Sequence, residues 1–293
     1  LLDDSIDPEE VLKGTIESKA ITTRPATMPI GIDWPEEVYK TPEVAWAIQI
    51  GNQTWPLCDA SIELVAPELT GPLRFAVASE SDRAEFALEL FEDNDILSYR
   101  YTLLSTKKIL IRRSENAVPE DISEFFYSYP PMIWFADGST LEGNEHVELK
   151  IKQPPYDPAK IEVCDWTGTD LKKESQGKTK DATSIQAHVI SLLKTRNYSV
   201  VVDDDGKGEI ADVVAVHLIG DPKAPSSIEA ELYHCKYSLR ATPGQRIEDM
   251  YEVCGQAQKC ISWMSSMERQ TDIFTHLLRR NQRRIDDGGP SRI

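Results

Sequence analysis

The chain has 293 residues, of which 40% are hydrophobic and 28% charged, and its formal net charge is −17. This length favours two domains, each large enough to bury its own apolar core. No apolar run approaches the length that crosses a bilayer, and the five cysteines form no CxxC pair, so the sequence argues against a membrane span, a disulfide framework and a structural zinc site, and favours a cytoplasmic location.

The negative charge is concentrated in the first half of the chain. Residues 1–150 contain 12 Lys and Arg against 28 Asp and Glu, whereas residues 151–293 contain 20 against 21. A nucleic-acid partner requires Lys and Arg on the contact surface. The near-neutral second half can carry such a surface in spite of the overall charge.

The N-terminal half is predicted to be rich in β-strands. Residues 1–40 are acidic and proline-containing, and they predict an acidic extended arm. Residues 41–155 then predict a β-rich acidic domain, because short apolar or alternating runs are separated by turn residues. These runs lie at 45–50, 60–65, 73–78, 85–90, 99–104, 108–111 and 146–151.

A polar, proline-containing linker is predicted at 156–182, and a second domain at 183–293. Apolar residues at helical spacing predict a helix from Ser184 and another over 246–264. Between them lie three strand-like runs, 198–202, 210–219 and 228–237. The order of helix, three strands and helix predicts an α/β domain with a mixed central sheet, so the whole chain is expected to combine β-rich and α/β parts.

Candidate chemistry lies on the second and third of these strands. Asp212 precedes the apolar run Val213–Val216, which is typical of a buried strand. Burial of a carboxylate there costs free energy unless a partner compensates for it. His234 and Lys236 are two residues apart, so an extended strand would place them on one face. Phosphodiester hydrolysis uses carboxylates to hold a divalent cation and a nearby cationic or basic group.

The segment Gly206–Asp212, followed by His234–Lys236, resembles the signature of the PD-(D/E)xK, or restriction-endonuclease-like, nucleases. The resemblance implies metal ligation by Asp212 and either water activation or charge stabilisation by Lys236. It also implies supporting polar groups on the flanking helices, for which Gln186 and Gln256 are the candidates. The implied cofactor is Mg²⁺ or Mn²⁺ and the implied substrate is DNA.

The chain departs from the family pattern at His234, which replaces the acidic residue two positions before the lysine. Histidine is a poorer partner than a carboxylate for Mg²⁺. Three outcomes remain open: a preference for Mn²⁺, recruitment of Glu209 as the second carboxylate ligand beside Asp212, or loss of activity. The expected catalytic set is therefore Asp212, His234, Lys236 and Glu209.

The sequence thus predicts a metal-dependent endodeoxyribonuclease. Its predicted contacts to nucleic acid are basic residues of the second domain: Arg240, Lys259, Arg279, Arg280, Arg283 and Arg284. The stretch 135–149 resembles regions beside nuclease modules in bacterial antiviral defence or helicase-linked proteins, which suggests a longer parent chain with a further domain or protein partner upstream. The oligomeric state stays open.

Two other interpretations stay open. In the first, the same fold is a catalytically inactive module that binds DNA or protein, and His234 marks a decayed site. In the second, the acidic surface of 80–95 and 115–124 docks a basic partner or mimics the charge of DNA.

Overall fold

The computed structural model describes residues 16–40, 46–65, 69–114, 116–150, 157–238, 247–264 and 267–293. It is a mixed α and β structure in which a sheet-rich N-terminal part precedes a smaller part built from helices and one sheet. None of the described helices is long and apolar enough to cross a lipid bilayer.

The N-terminal part contains three antiparallel sheets and two short helices. Its helices are α1 (Glu36–Tyr39) and α2 (Ile122–Ser128). Its strands are β1 (Ile16–Ala20), β2 (Pro29–Asp33), β3 (Ala47–Ile50), β4 (Gln53–Pro56), β5 (Ser61–Leu64), β6 (Leu73–Ala78), β7 (Arg83–Asp93), β8 (Ile96–Leu103), β9 (Ile109–Arg112), β10 (Glu120–Asp121), β11 (Met132–Phe135), β12 (Thr140–Glu142) and β13 (Glu145–Leu149). The sheet orders are β1-β13-β12-β11-β2, β10-β9-β3-β4 and β5-β6-β7-β8.

Each of the seven short runs predicted from the sequence overlaps one of these strands. The predicted arm is different, because β1 pairs with β13 and β2 pairs with β11. Residues 16–40 therefore belong to the β-rich part instead of forming an extended arm, and residues 1–15 lie outside the described part. The reason is burial. Ile32 in β2 is fully buried, and the acidic residues around it in the sequence do not indicate this burial.

Aromatic packing joins α2 to the sheet β5-β6-β7-β8. Phe75 and Phe86 stack at 5.3 Å between ring centroids, and the ring of Phe126 from α2 meets both edge-on. α2 begins at a cap where the Asp121 carboxylate accepts the Ser123 N–H at 2.9 Å. The helix therefore starts at a defined residue and directs its apolar side into the core.

The C-terminal part has the predicted order of helix, three strands and helix. It consists of α3 (Ile185–Lys194), β14 (Val200–Asp203), β15 (Val213–Asp221), β16 (Ala224–Tyr233), α4 (Ile247–Lys259) and α5 (Met267–Asp286). Both pairings within the sheet β14-β15-β16 are antiparallel. The expected mixed sheet is therefore wrong for the described strands, since short hairpin connections allow only antiparallel neighbours.

The central strand β15 is covered on both faces. Val213 and Ala215 pack with Leu193 of α3 on one side. Val214 and Val216 pack on the other side with a cluster that includes Leu277 of α5. This arrangement explains the continuous apolar run, because a strand with two buried faces does not alternate in polarity.

The segment 157–182, predicted as a linker, packs against the C-terminal part. The carbonyls of Lys173 and Glu174 accept the N–H groups of Ile185 and Gln186 at the start of α3, at 2.8 and 3.0 Å. The segment thereby supplies acceptors for N–H groups of the first helical turn that have no partner within the helix. It also lies next to the candidate site described below.

The two parts of the molecule are in close contact, chiefly where α4 packs on β2. A Cβ atom added to Gly255 of α4 would lie 1.7 Å from the Ile30 carbonyl oxygen. Glycine is therefore required there for the two backbones to approach. Lys259 of the same helix donates to the Ile62 carbonyl at 2.8 Å.

Candidate metal centre

Asp212 is held at the start of β15, beside the end of β16. Val213 pairs with Tyr233 in the register of the two strands. The buried Asp212 carboxylate accepts the Cys235 N–H at 2.9 Å, and its carbonyl accepts a hydrogen bond from Gln186 at 3.0 Å. The antiparallel hairpin thus brings Asp212 to the region of His234 and Lys236. The expected place of these two residues on an extended strand is wrong, because β16 ends at Tyr233.

Three carboxylates converge at this point. Oxygen atoms of Asp205, Glu209 and Asp212 all lie within 4.8 Å of one another. The loop that carries two of them is closed by the Gly206 N–H, which donates to the Glu209 carboxylate at 2.8 Å, and the Ser175 hydroxyl donates to Asp205. Glu209 and Asp212 were expected as ligands, whereas Asp205 was not.

Burial and mutual repulsion raise pKa values within the cluster. Burial, followed by the nearby charge of Asp212, raises the pKa of Glu209 to about 8. Burial also raises the pKa of Asp205. Within the described part of the chain, no Lys or Arg forms an ion pair with any of the three carboxylates. A divalent cation is the kind of partner that would offset this repulsion.

The neighbouring acidic residues have internal cationic partners. Asp203 lies 2.7 Å from Lys180 and 2.8 Å from Arg284, and Asp204 lies 2.6 Å from Arg280. The three aspartates of the run Asp203–Asp205 therefore have different roles. The first two anchor the loop, and the third faces the cluster.

His234 lies immediately after β16 and contacts the cluster through its ring. Its Nδ1 is 3.6 Å from the Asp212 carboxylate, and its Nε2 is 3.2 Å from the Cys260 sulfur. The side chain is only 8% exposed, and Nδ1 has no hydrogen-bond partner among the described residues. A buried, unpaired ring nitrogen beside a carboxylate cluster is suited to meeting a ligand there.

Lys236 has different partners from those expected. Its Nζ lies 2.5 Å from Glu252 of α4 and 3.3 Å from Glu174, and no ion pair with Asp212 is present between these described residues. Burial lowers the pKa of Lys236, but the bonds to the two glutamates more than offset this, and the net pKa is raised. The lysine therefore stays charged at neutral pH.

The two glutamines predicted as supporting groups have distinct positions. Gln186 is fully buried and donates to both Asp203, at 2.9 Å, and the Asp212 carbonyl, so it fixes two strands in register. Gln256 lies on α4, and its buried side-chain oxygen has no partner among the described residues.

The predicted basic contacts are mostly engaged inside the protein. Arg280 is 1% exposed and donates to Asp204, to the Cys58 carbonyl at 2.8 Å and to the Asp204 carbonyl at 2.7 Å. This corrects its expected place on a nucleic-acid surface, because burial requires its five donors to find internal acceptors. Arg283 pairs with Asp59 at 2.7 Å, and Arg284 pairs with Asp203.

The remaining members of the basic set differ among themselves. Arg279 is half-buried, Lys259 lines a cleft beside the cluster, and Arg240 lies outside the described residues.

Sequence reasoning missed Asp205 and Glu174. Asp205 belongs to an acidic run before Gly206 that is typical of a turn, and only the folded loop distinguishes it from its neighbours. Glu174 lies in the predicted linker, where no periodicity marks it. It accepts the Tyr237 N–H at 2.9 Å as well as pairing with Lys236.

A cleft of about 970 Å³ opens beside the centre, between the two parts of the chain. Asp205, Glu209 and His234 are among the residues that line it. The lining also includes residues of the β-rich part and of α4, among them Asp33, Trp34, Tyr39, Tyr251, Gln256 and Lys259. The carboxylate cluster is therefore reached from a pocket that both parts build.

No protein-family model matches this chain, and no curated protein and no solved structure is significantly similar to it.

Proposed function

We propose that the chain is a metal-dependent nuclease that hydrolyses phosphodiester bonds of DNA. The observation that carries the proposal is the convergence of Asp205, Glu209 and Asp212 within 4.8 Å of one another, at the end of an antiparallel hairpin and beside an open cleft. One buried and two half-buried carboxylates that form no ion pair with a Lys or Arg of the described residues are costly for the fold alone. The arrangement is explained if it serves to bind a cation.

The donor set fits a hard divalent cation. Three carboxylates supply only oxygen atoms, which Mg²⁺ and Mn²⁺ prefer. His234 adds a nitrogen next to Asp212, and imidazole suits Mn²⁺ better than Mg²⁺. When bound, such a cation would orient a water molecule and offset charge on the scissile phosphate. The proposal therefore includes Mg²⁺ or Mn²⁺ as cofactor, with Mn²⁺ favoured.

The surrounding residues have positioning and electrostatic roles. Gln186 and the Cys235 N–H hold Asp212 from two sides, so the carboxylate does not need to reorganise when a substrate arrives. Lys236 remains a charged group next to Glu252, which is half exposed. A phosphate that competes for this lysine would gain a cationic contact as negative charge develops.

A second candidate is a nuclease-like module that binds DNA or protein without cleavage. The observation that favours it is the engagement of Lys236 by two glutamates, since a catalytic lysine needs to contact the reacting phosphate. The two candidates predict the same fold and differ in whether a metal ion produces turnover.

Cleavage assays with matched variants test the proposal. Supercoiled plasmid, linear duplex and single strands are incubated with the full chain and Mg²⁺, Mn²⁺ or EDTA. We expect cleavage that requires the metal, and a loss of at least about 100-fold in Asp205→Asn, Asp212→Asn and Lys236→Ala. Asp221→Asn, at the exposed far end of β15, is the control that keeps activity.

Calorimetric titration with Mn²⁺ gives a readout besides activity. Asp205→Asn and Asp212→Asn should each weaken Mn²⁺ binding, whereas Asp221→Asn should not. Metal binding without cleavage of any substrate would support the binding module. Absence of Mn²⁺ binding by the unaltered chain would contradict both the cofactor and the nuclease.

A further inference from the structure

The cleft beside the carboxylate cluster has features that the proposed metal centre does not use. Its lining includes aromatic residues from both parts of the chain: Trp34 and Tyr39 from the β-rich part, and Tyr251 and Trp263 from the C-terminal part. An ion site alone needs neither this volume nor aromatic walls.

We infer that this cleft binds one unstacked nucleotide of a single-stranded DNA, with its phosphate towards the carboxylate cluster and its base among the aromatic residues. The inference rests on the proposed function, which it deepens by naming the form of the substrate. The chemistry recognised is a planar base joined to a phosphodiester.

The size of the cleft is sufficient for one nucleotide. Enclosed sites for small molecules have volumes of about 300–1,000 Å³, and the cleft, at about 970 Å³, lies near the upper end of that range. A base in a duplex is stacked between its neighbours and has to leave the stack before it can enter such a pocket. A single strand presents the base without that cost.

The polar groups of the cleft match the two ends of a nucleotide. Lys207 and Lys259 are among the lining residues, where Lys207 pairs with Glu63 and Lys259 donates to the Ile62 carbonyl, so a phosphate would compete with these internal partners for them. Gln256 offers a side-chain oxygen that has no partner among the described residues, and such an oxygen can accept a hydrogen bond from the edge of a base. Aromatic residues stack on any base, so the site is expected to tolerate sequence variation.

The charge of the whole molecule argues against extended contact with a duplex. Duplex binding depends on several phosphate contacts made by exposed Lys and Arg. The chain has a net charge of −17, and Arg280, Arg283 and Arg284 are engaged with Asp204, Asp59 and Asp203. A pocket that holds one nucleotide through stacking and a metal centre requires fewer such contacts.

Binding is measured separately from cleavage with the full chain carrying Lys236→Ala, which keeps the three carboxylates of the proposed metal centre. The probes are a short labelled single strand and the duplex of the same sequence, each titrated in the presence of Mn²⁺ and followed by fluorescence anisotropy. We expect the single strand to bind at least about tenfold more tightly than the duplex, because the duplex must first unstack a base.

Two further substitutions, each with a matched control, are added to this background. Tyr251→Ala should weaken binding of the single strand by about fivefold or more, the loss expected when one aromatic stack is removed. Tyr127→Ala removes a tyrosine that is 56% exposed and does not line the cleft, and it should bind as the background does. Gln256→Ala should weaken binding, whereas Gln258→Ala, on the same helix outside the lining, should not.

Equal binding of duplex and single strand, undetectable binding of the single strand, or unchanged binding in both Tyr251→Ala and Gln256→Ala would overturn the inference. Failure of the nuclease proposal has a different signature, which is the absence of metal-dependent cleavage by the unaltered chain. Because the binding assay needs no turnover, the two failures are distinguishable.

Discussion

At the scale of single residues, burial decides which charged groups bind ligands and which hold the fold. Asp205 and Asp204 are adjacent, yet Asp204 is fully buried against Arg280 whereas Asp205 joins the open cluster. Arg279 and Arg280 are adjacent as well, and only Arg280 enters the interior. The sequence shows the charges of these residues but not which side of the loop or helix faces the core.

Arg280 is predicted to be a structural residue whose loss destabilises the protein. Arg280→Met keeps the apolar stem but leaves the buried Asp204 carboxylate with Arg292, at 3.9 Å, as its remaining ion-pair partner among the described residues, so we expect a loss of about 3–5 kcal/mol in the free energy of unfolding. Urea denaturation at neutral pH measures the loss. Arg279→Met is the control and should lie within about 0.5 kcal/mol of the unaltered chain. Similar stability of the two variants would show that the ion pair does not anchor the loop.

At the scale of secondary-structure elements, much of the C-terminal part follows from local pattern. The order α3, β14, β15, β16 and α4 was predicted because apolar periodicity and turn residues mark each element. The close approach of α4 to β2 was not predicted. Gly255 stands within a helix, where sequence alone indicates only a weak helix former, and its partner Ile30 lies more than two hundred positions earlier in the chain.

The Gly255→Ala substitution tests this contact, because a close contact and an open helix surface predict changes of opposite sign in the free energy of unfolding. In an unobstructed helix the substitution would stabilise by about 1 kcal/mol, because alanine has the higher helix propensity. Here the added Cβ would lie 1.7 Å from the Ile30 carbonyl oxygen, so we expect a loss of about 1–3 kcal/mol as the helix moves away.

Thermal unfolding followed by circular dichroism measures this effect. Ala257→Ser, at an exposed position of the same helix, should change the stability by less than about 0.5 kcal/mol. A stabilised Gly255→Ala variant would mean that α4 does not pack closely on β2 in solution.

At the scale of the whole molecule, the division into a β-rich half and a half with helices was predictable, whereas the way in which the halves meet was not. Local periodicity identifies strands and helices, but the contacts that join the halves are single long-range pairs with no sequence signature. Lys207 with Glu63 and Lys259 with the Ile62 carbonyl are examples. The cleft and its aromatic residues depend on the contact between the two halves, so neither could be predicted from the sequence.

Glu63 provides a pH-dependent test of how the halves are joined. Burial raises the pKa of Glu63, but the hydrogen bond and charge of Lys207, with help from Arg83, more than offset this, and the net pKa is lowered from 4.5. A carboxylate with a lowered folded-state pKa stabilises the fold above the unfolded-state pKa, and the contribution is lost as the pH falls through the lowered value.

Glu63→Gln should therefore destabilise the chain at pH 7, by no more than about 1 kcal/mol because the pair is partly solvated. The difference from the unaltered chain should begin to shrink as the pH falls below about 4.5, the ordinary pKa of glutamate, and it should be lost below the lowered folded-state pKa, where both side chains are uncharged. Urea denaturation across this pH range measures it, with Glu229→Gln on the exposed strand β16 as control. A difference that is independent of pH would show that Glu63 acts through packing, and that its ion pair with Lys207 does not join the halves.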